Sequence, residues 1–214
     1  KVRVLKALRP FVPATLAGSV VRGQYGKGKG GPGYRDEAGR SSATETFIAL
    51  KTFVDLPRWQ GVPFYLRSGK RLPRKVAEVS VHFKKRVGNL FGQEDRAANV
   101  LVFRIQPDEA VELRINAKVP GSGFGLRGTG LEFGYREAFP APIPPAYERL
   151  LLDFLQGDQR LFLRSDEIEA AWRFVDPIVA GLGGVPLRRY PAGSAGPAAA
   201  ETLMEIDGRA WWTR

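Results

Sequence analysis

A run of cations follows a strand-like segment at residues 64–75, which read FYLRSGKRLPRK. Lysine and arginine side chains bind anions, and a lysine ammonium matches a phosphate or sugar oxygen as a compact charge. The pair Ser68-Gly69 suits a tight turn that would carry Lys70 beyond the end of the strand. Three interpretations compete: a nucleic-acid patch, a site for one small anion, or a solvated turn.

Other residues that could do chemistry point to no second site. The single histidine, His82, lies on the polar side of an alternating segment and is interpreted as a solvent-facing strand residue. The sequence has no cysteine, and no carboxylate cluster has suitable spacing, so we predict no metal site. The acid pairs Glu148 with Asp153 and Asp166 with Glu167 are better explained by solvation and helix-dipole compensation than by acid–base catalysis.

Two glycine-rich stretches, Gly28–Gly33 and Gly123–Gly128, match the pattern G-x-G-x-x-G. The dinucleotide motif requires a helix directly after the glycines, because the helix N-terminus binds the pyrophosphate. Neither stretch is followed by a helical pattern, so both are interpreted as flexible loops. A near match to a P-loop at Gly23–Lys29 fails because Gly30 stands where a Mg²⁺-binding Ser or Thr must be.

The charge balance favours anionic partners without choosing among them. The net charge is +11, from 33 Lys plus Arg against 22 Asp plus Glu. Nucleic acid, acidic membranes and phosphorylated metabolites all fit this excess, although the even spread of the cations weakens the nucleic-acid interpretation. No apolar run approaches the roughly 18 residues that span a bilayer. The absence of cysteine suits a reducing compartment, and we expect a cytoplasmic location.

Strands are predicted to position the cationic segment. A glycine-rich run at 26–42 is predicted to be a flexible loop. Alternating or continuous apolar residues then predict strands, whose short connections favour antiparallel pairing and of which 76–83 and 111–119 indicate a sheet with one wet face. The predicted strands are 45–54, 62–69, 76–83, 99–107, 111–119 and 131–137.

Helices are predicted after the strands. The period changes to 3.6 at 144–157 and again from Ser165, which is the predicted N-cap of a helix that Pro177 should kink. This order indicates an α+β fold, with a large, mainly antiparallel β-sheet and α-helices packed on one face. We predict one domain over 1–214, in which a Pro/Gly/Ala-rich connection at 191–200 leads to a short C-terminal helix and a tail held by its tryptophans.

The segment RWQGVPFYLRSGKRLPRK resembles the corresponding part of the glucose-6-phosphate dehydrogenase family. The resemblance continues through VRGQY, RIQPDEAVEL, AYERLLLDFLQGD, RSDEIEAAWRFVDPI, YPAGSAGP and DGRAWW, in order and over nearly the whole chain. It extends to the C-terminal domain of the family only. The N-terminal Rossmann domain, which binds NADP and carries the histidine base, has no counterpart in these motifs, so we expect the isolated chain to be inactive.

The resemblance implies a reaction and its substrate contacts. The family oxidises D-glucose 6-phosphate to 6-phosphogluconolactone with NADP, in the oxidative pentose phosphate pathway. Lys70 and Lys75 match its two substrate-contacting lysines, and Gln106 matches a further substrate position. No catalytic residue is assigned within this chain.

Further implications concern a second cofactor site and assembly. Some members bind a structural NADP, and Arg104 matches one of its contacts, whereas Val76, Ser80 and Ala195 stand where those members have cations, so we expect that site to be absent or weakened. The resemblance also implies a homodimer or dimer of dimers through the sheet, and no nucleic-acid or membrane partner. A basic nucleic-acid-binding domain is the alternative, which predicts steeply salt-dependent DNA or RNA binding. A purely structural dimerisation module is a third interpretation.

Overall fold

The computed structural model describes residues 1–84, 98–121, 123–139 and 145–213. The chain divides into two compact units, one formed by Lys1–Arg74 with Gln159–Arg214 and the other by Lys75–Asp158. The expected single domain over residues 1–214 stays a prediction, because two compact units can still fold as one domain.

The first unit is built around a four-stranded sheet in the order β3-β2-β1-β8. The pairs β1·β2 and β2·β3 are antiparallel, whereas β1 and β8 are parallel. Its elements are α1 (Val2–Lys6), α2 (Pro13–Ser19), β1 (Val20–Gly26), α3 (Tyr34–Ala38), β2 (Phe47–Phe53), β3 (Pro63–Gly69), α6 (Ser165–Gly181), β8 (Leu187–Pro191) and α7 (Ala198–Glu205).

Two apolar clusters hold this unit together. The first joins β1 and β2 to α2 and α6, and the second packs around Tyr190, which is 1% exposed. Burial of large apolar side chains contributes about 1.5–3 kcal/mol each, so these clusters supply the main stabilising term of the unit. Their buried members are Phe11, Leu16, Val20, Leu50, Ile178, Leu182 and Val185 in the first, and Tyr25, Phe47, Ala49, Tyr190, Ala192, Ala200 and Leu203 in the second.

The second unit contains an antiparallel sheet in the order β4-β5-β6-β7. Its elements are β4 (Ala77–His82), β5 (Val100–Gln106), β6 (Ala110–Lys118), β7 (Leu126–Gly134), α4 (Tyr135–Ala138) and α5 (Ala146–Leu155). Strand register aligns large apolar side chains across all four strands on one face, in the rows Val79-Phe103-Val111-Phe133 and Val81-Leu101-Leu113-Leu131. Many of these side chains stay exposed, Leu131 at 62% and Val79 at 51%.

The α+β class with mainly antiparallel pairing is confirmed, and the strands form two four-stranded sheets rather than one. Every predicted strand exists, with the predicted segment 131–137 lying at the end of the longer β7 and in α4. The pair β1·β8 is parallel, and neither of these two strands is among those predicted from the sequence. A long intervening chain separates these two strands, and a crossover of that length permits parallel pairing.

Two local predictions about the C-terminal part need correction. Ser165 is the first residue of α6 rather than its N-cap, which is Arg164, and no side chain caps this end. Arg164 instead pairs with Asp166 at 2.7 Å. The connection 191–200 is not wholly irregular, because α7 begins at Ala198. Within the described ranges, no helix has the length and apolar content needed to cross a bilayer.

Candidate functional site

Lys70 lies one residue beyond the end of β3. Phe47 and Gly69 are register partners at the ends of β2 and β3, and the backbone N–H of Lys70 donates a further hydrogen bond to the Thr46 carbonyl at 2.8 Å. Ser68 and Gly69 therefore belong to the strand, and the chain turns at Lys70 and Arg71, here called the Lys70 turn. Glycine is required at position 69 because a Cβ would lie 2.7 Å from Cδ2 of Phe47.

The Lys70 side chain is exposed. Within the described ranges, no carboxylate or hydrogen-bond acceptor pairs with its ammonium. Because nothing there neutralises it, this cation is available to an anion from solution.

The carbonyl of Lys70 is held by a chain of hydrogen bonds from the buried side of the sheet. The hydroxyl of Tyr190 donates to it at 2.8 Å and lies 3.1 Å from Oγ1 of Thr46. That Thr46 oxygen in turn accepts the backbone N–H of Tyr25 at 3.0 Å. Burial raises the pKa of Tyr190, which keeps its hydroxyl protonated as a donor.

Arg71 fixes the other half of the Lys70 turn. Its φ of 52° lies in the left-handed region, which is unusual for a residue with a side chain. Its carbonyl accepts the N–H of Gly193 at 2.7 Å, and its guanidinium pairs with the Glu37 carboxylate. The hydroxyl of Tyr25 donates to the same carboxylate at 2.5 Å. This hydrogen bond from Tyr25, together with Arg71, lowers the pKa of Glu37.

A third cation of the segment is also engaged within the fold. The Arg67 guanidinium lies 4.6 Å from the ring centroid of Trp211 and 4.0 Å from Glu201. The indole N–H of Trp211 donates to the Ala200 carbonyl at 2.9 Å, so the expectation that the tail is packed is confirmed for this residue. Arg67 and Arg71 therefore stabilise the fold, while Arg74 is exposed and has no partner in the described part of the chain.

The first glycine-rich stretch packs against the chain that follows β8. The N–H of Gly30 donates to the Ala192 carbonyl at 2.9 Å, and a Cβ on Gly28 would lie 2.3 Å from that same oxygen. Contrary to the sequence prediction, a helix does follow Gly33, namely α3, which has five residues. Asp36 of that helix accepts the N–H of Gly33 at 3.0 Å, so a carboxylate occupies the end at which a pyrophosphate would bind.

The other predicted site residues belong to the second unit. Lys75 is its first residue and is exposed, with no partner among the residues that the structure describes. Gln106 ends β5, is exposed, and precedes Pro107 through a cis peptide bond. Arg104 pairs with Glu132 on the same sheet, and its side chain is only 13% exposed. A carboxylate thus already neutralises Arg104, which weakens its fit to a dinucleotide phosphate.

The sequence-based analysis missed the residues that hold the Lys70 turn, namely Thr46, Tyr190, Glu37 and Tyr25. Tyr190 opens the quoted motif YPAGSAGP, but β8 is short and carries adjacent arginines, so no alternating pattern marks it as a strand. Among the described residues, no group of three or more His, Asp or Glu side chains could hold a metal ion. His82 is exposed, as predicted.

Comparison with known proteins identifies what this chain is similar to. The model of the family "Glucose-6-phosphate dehydrogenase, C-terminal domain" matches residues 1–212. The chain is 46% identical over 218 residues to a glucose-6-phosphate 1-dehydrogenase of Gluconobacter oxydans and 47% identical over 221 residues to one of Mycolicibacterium smegmatis. Each match covers 99% of this chain but only 44% of the relative.

Solved structures show the same fold. A glucose-6-phosphate dehydrogenase in complex with its substrate glucose 6-phosphate superimposes with a TM-score of 0.87 at 33% identity, over 99% of this chain and 44% of that one. The enzyme of Mycobacterium avium gives a TM-score of 0.81 at 34% identity, over 100% of this chain and 43% of its own. None of these four proteins is named as a nucleic-acid-binding protein, so that alternative has no support from them.

Proposed function

The chain belongs to the glucose-6-phosphate dehydrogenase C-terminal domain family, and we propose that it is the substrate-side part of an NADP-dependent enzyme. The complete polypeptide would oxidise D-glucose 6-phosphate to 6-phosphogluconolactone, the reaction of the oxidative pentose phosphate pathway, in the cytoplasm. The remainder of the polypeptide would bind the dinucleotide and supply the general base.

The arrangement of the cationic segment carries this proposal. Arg67 and Arg71 are engaged by Glu201 and Glu37, whereas Lys70 projects from a fixed turn without a competing carboxylate in the described part of the chain. Arg74 and Lys75 also have no partner among the described residues, but the backbone of Lys70 is held in its turn by hydrogen bonds with Thr46 and Tyr190. A single cation fixed in position suits a small anion, whereas a polyanion is bound by a longer row of free cations.

Lys70 and Lys75 would bind oxygens of the sugar phosphate and orient it. An ammonium donates to phosphate or hydroxyl oxygens, and a substrate held in one geometry reacts with less entropic cost than a free one. Gln106 would contribute its side-chain amide to substrate binding, with a small effect on the binding free energy. NADP, when bound, would supply the hydride acceptor, and the part of this chain in the reaction would be to place the donor sugar.

We propose no dinucleotide contact by Arg104, because its guanidinium is paired with Glu132. The positions of Val76, Ser80 and Ala195 carry no charge, which also speaks against a second NADP on this chain.

The substitution Lys70→Ala in the complete polypeptide tests the proposal. We expect kcat/KM for glucose 6-phosphate to fall roughly 10- to 150-fold, since hydrogen bonds to charged groups contribute about 1.5–3 kcal/mol. Lys75→Ala should raise KM. The matched control is Arg74→Ala, which removes an exposed cation of the same segment and should change neither constant more than about twofold.

An unchanged kcat/KM in Lys70→Ala would reject the substrate role of Lys70. Turnover of glucose 6-phosphate by the isolated 214-residue chain would reject the division of work between the two parts of the polypeptide.

We also propose that the complete protein assembles with a second copy through the sheet of the second unit. The support is its apolar face, on which Phe103 is 40% and Phe133 44% exposed, next to Leu131 at 62%. Contiguous apolar surface of this kind is uncommon on monomers and marks association sites. A homodimer or dimer of dimers follows from pairing such faces.

A further inference from the structure

The Lys70 turn is held at successive backbone groups by residues that lie far from it in sequence. The N–H of Lys70 donates to Thr46, its carbonyl accepts from Tyr190, and the carbonyl of Arg71 accepts from Gly193. Tyr190 is 120 residues from Lys70 and 1% exposed. Fixing the backbone of one residue costs about 1–2 kcal/mol in conformational entropy. In this turn the backbone is already fixed when the protein folds, so binding of an anion does not have to order it.

The hydrogen bonds form a series that ends at the carbonyl of Lys70. The backbone N–H of Tyr25 donates to Oγ1 of Thr46, and the Thr46 and Tyr190 hydroxyls lie 3.1 Å apart. The Tyr190 hydroxyl lies within donating distance of two carbonyls, that of Lys70 at 2.8 Å and that of Thr46 at 3.1 Å, and the shorter distance favours Lys70. Removal of the Tyr190 hydroxyl would leave the carbonyl of Lys70 without this donor and the Thr46 hydroxyl without this partner. The orientation of the Lys70 turn would then be less firmly fixed.

Arg71 supports the same turn from the side of α3. A left-handed backbone costs a residue with a side chain roughly 1–2 kcal/mol, so its native contacts must compensate for it. The pairing of its guanidinium with Glu37, which Tyr25 also contacts, provides this compensation. The pairing has a second effect. Because Glu37 neutralises Arg71, Lys70 is the cation of this turn that stays available to an anion.

We propose that Tyr190 is a positioning residue for Lys70, and that Arg71 with Glu37 assists it from the other side of the turn. The inference rests on the proposed substrate role of Lys70. Tyr190 touches neither substrate nor cofactor in this account; it acts by fixing the peptide group from which the Lys70 side chain extends.

A double-mutant cycle with Tyr190→Phe and Lys70→Ala in the complete polypeptide tests the inference. Phenylalanine keeps the ring packing and removes only the hydroxyl. We expect Tyr190→Phe to raise KM for glucose 6-phosphate about three- to tenfold, the range that one hydrogen bond supplies, with KM for NADP unchanged. On the Lys70→Ala background the same substitution should have no further effect on the use of glucose 6-phosphate.

The control is Tyr65→Phe, which also removes a hydrogen-bonded tyrosine hydroxyl. The partner of that hydroxyl is the carboxylate of Asp207, outside the series that reaches Lys70. It should leave both KM values unchanged. Melting temperatures of all variants separate a local effect from a general loss of folding.

The outcomes distinguish the two proposals. An equal KM rise from Tyr190→Phe on both backgrounds, or no rise at all, overturns the positioning role while the substrate role of Lys70 stands. An unchanged kcat/KM in Lys70→Ala alone overturns the substrate role and with it the positioning role. If Tyr190→Phe fails to fold, Glu37→Gln replaces it, with an expected two- to threefold rise in KM that must likewise disappear on the Lys70→Ala background.

Discussion

The two sheets of this chain differ in how completely the chain covers its own apolar surface. In the first unit, Phe47 is 2%, Ala49 0% and Tyr190 1% exposed, and glycines approach neighbouring backbone closely. In the second unit, Leu131 at 62% and Ile105 at 55% remain open on β7 and β5. The first sheet is thus closely packed next to the Lys70 turn, whereas the second presents apolar side chains to solvent.

This difference suggests a separation of tasks within one chain. Precise placement of a charged group requires close packing, since well-packed interiors have few alternative arrangements. Association with another copy requires the opposite, namely apolar surface that the monomer leaves uncovered. Substitutions in the two sheets should therefore affect different measured properties: stability or substrate use for the first sheet, and association for the second.

The largest effect is expected on the open face of the second sheet. Phe103→Glu would place a carboxylate at the centre of the proposed interface, where an unpaired buried charge costs about 3–5 kcal/mol. We expect association of the complete polypeptide to weaken at least 100-fold, measured as a halved mass in sedimentation experiments. The folded monomer should persist, because Phe103 is 40% exposed within the chain.

The matched control for this substitution is Val12→Glu in the first unit, where the side chain is 50% exposed. It introduces the same charge and should leave the mass unchanged. If both variants dissociate to the same extent, or if neither dissociates, the distinction between the two surfaces is wrong.

A smaller effect is expected from tight packing in the first unit. Gly28→Ala would place a Cβ 2.3 Å from the Ala192 carbonyl oxygen, so the backbone must move. Overpacking of this kind costs typically about 1–3 kcal/mol, and we expect a drop of about 2–3 kcal/mol in the free energy of unfolding, measured by urea titration.

The second glycine stretch provides the control. A Cβ on Gly128, in β7, meets nothing within 4 Å, so Gly128→Ala should change stability by less than about 0.5 kcal/mol. If both variants unfold at the same urea concentration, the close packing of the first unit does not constrain its glycines.

The smallest effect concerns an ion pair of the first unit. Asp207 accepts from Lys51 at 2.6 Å and from the hydroxyl of Tyr65, and these bonds lower its pKa below the ordinary value of 3.8. A lowered folded pKa means that the stabilisation is present above that ordinary value and is lost as the pH falls through the folded pKa. Asp207→Asn should therefore cost about 1 kcal/mol at pH 7 and progressively less below about pH 4.

Urea titrations of both proteins between pH 7 and pH 3 measure this difference. Asp108→Asn in the second unit is the comparison, since its partner Arg136 lies 3.6 Å away and both side chains are more than 60% exposed. It should be neutral at every pH. A constant difference between wild type and Asp207→Asn across the range would show that the carboxyl charge is not what stabilises the fold.

The antiparallel strands other than β1 were predicted from the sequence because their apolar pattern is local. β4 and β6 carry their pattern within a few residues, and the turn after β3 is marked by Gly69. β8 was missed because its short segment includes Arg188 and Arg189, and it exists as a strand only through its parallel pairing with β1. Such pairing depends on tertiary contacts that local propensity does not record.

The candidate site was predictable to a similar extent. The family motif indicated Lys70 and Lys75 directly, and whether they bind substrate stays a prediction. Nothing local indicated that Tyr190 would hold the Lys70 turn, because hydrogen bonds across 120 residues leave no periodic signal. Glycine composition was equally ambiguous: it suggested a flexible loop at 26–42, while Gly28 and Gly30 pack against Ala192 and Gly193. Whether that loop is mobile stays a prediction.

The parallel strand β8 also bears on the order of events in biosynthesis. The first unit is assembled from 1–74 and 159–214, so the whole second unit emerges from the ribosome before β8 can close the first sheet. Contacts this distant form late, because the chain must first lose the entropy of a long loop. A nascent chain that stops before Leu187 would possess Lys70 but lack Tyr190, the residue proposed to orient it. Competence to bind the sugar phosphate would thus be acquired only after β8 has been synthesised and paired with β1.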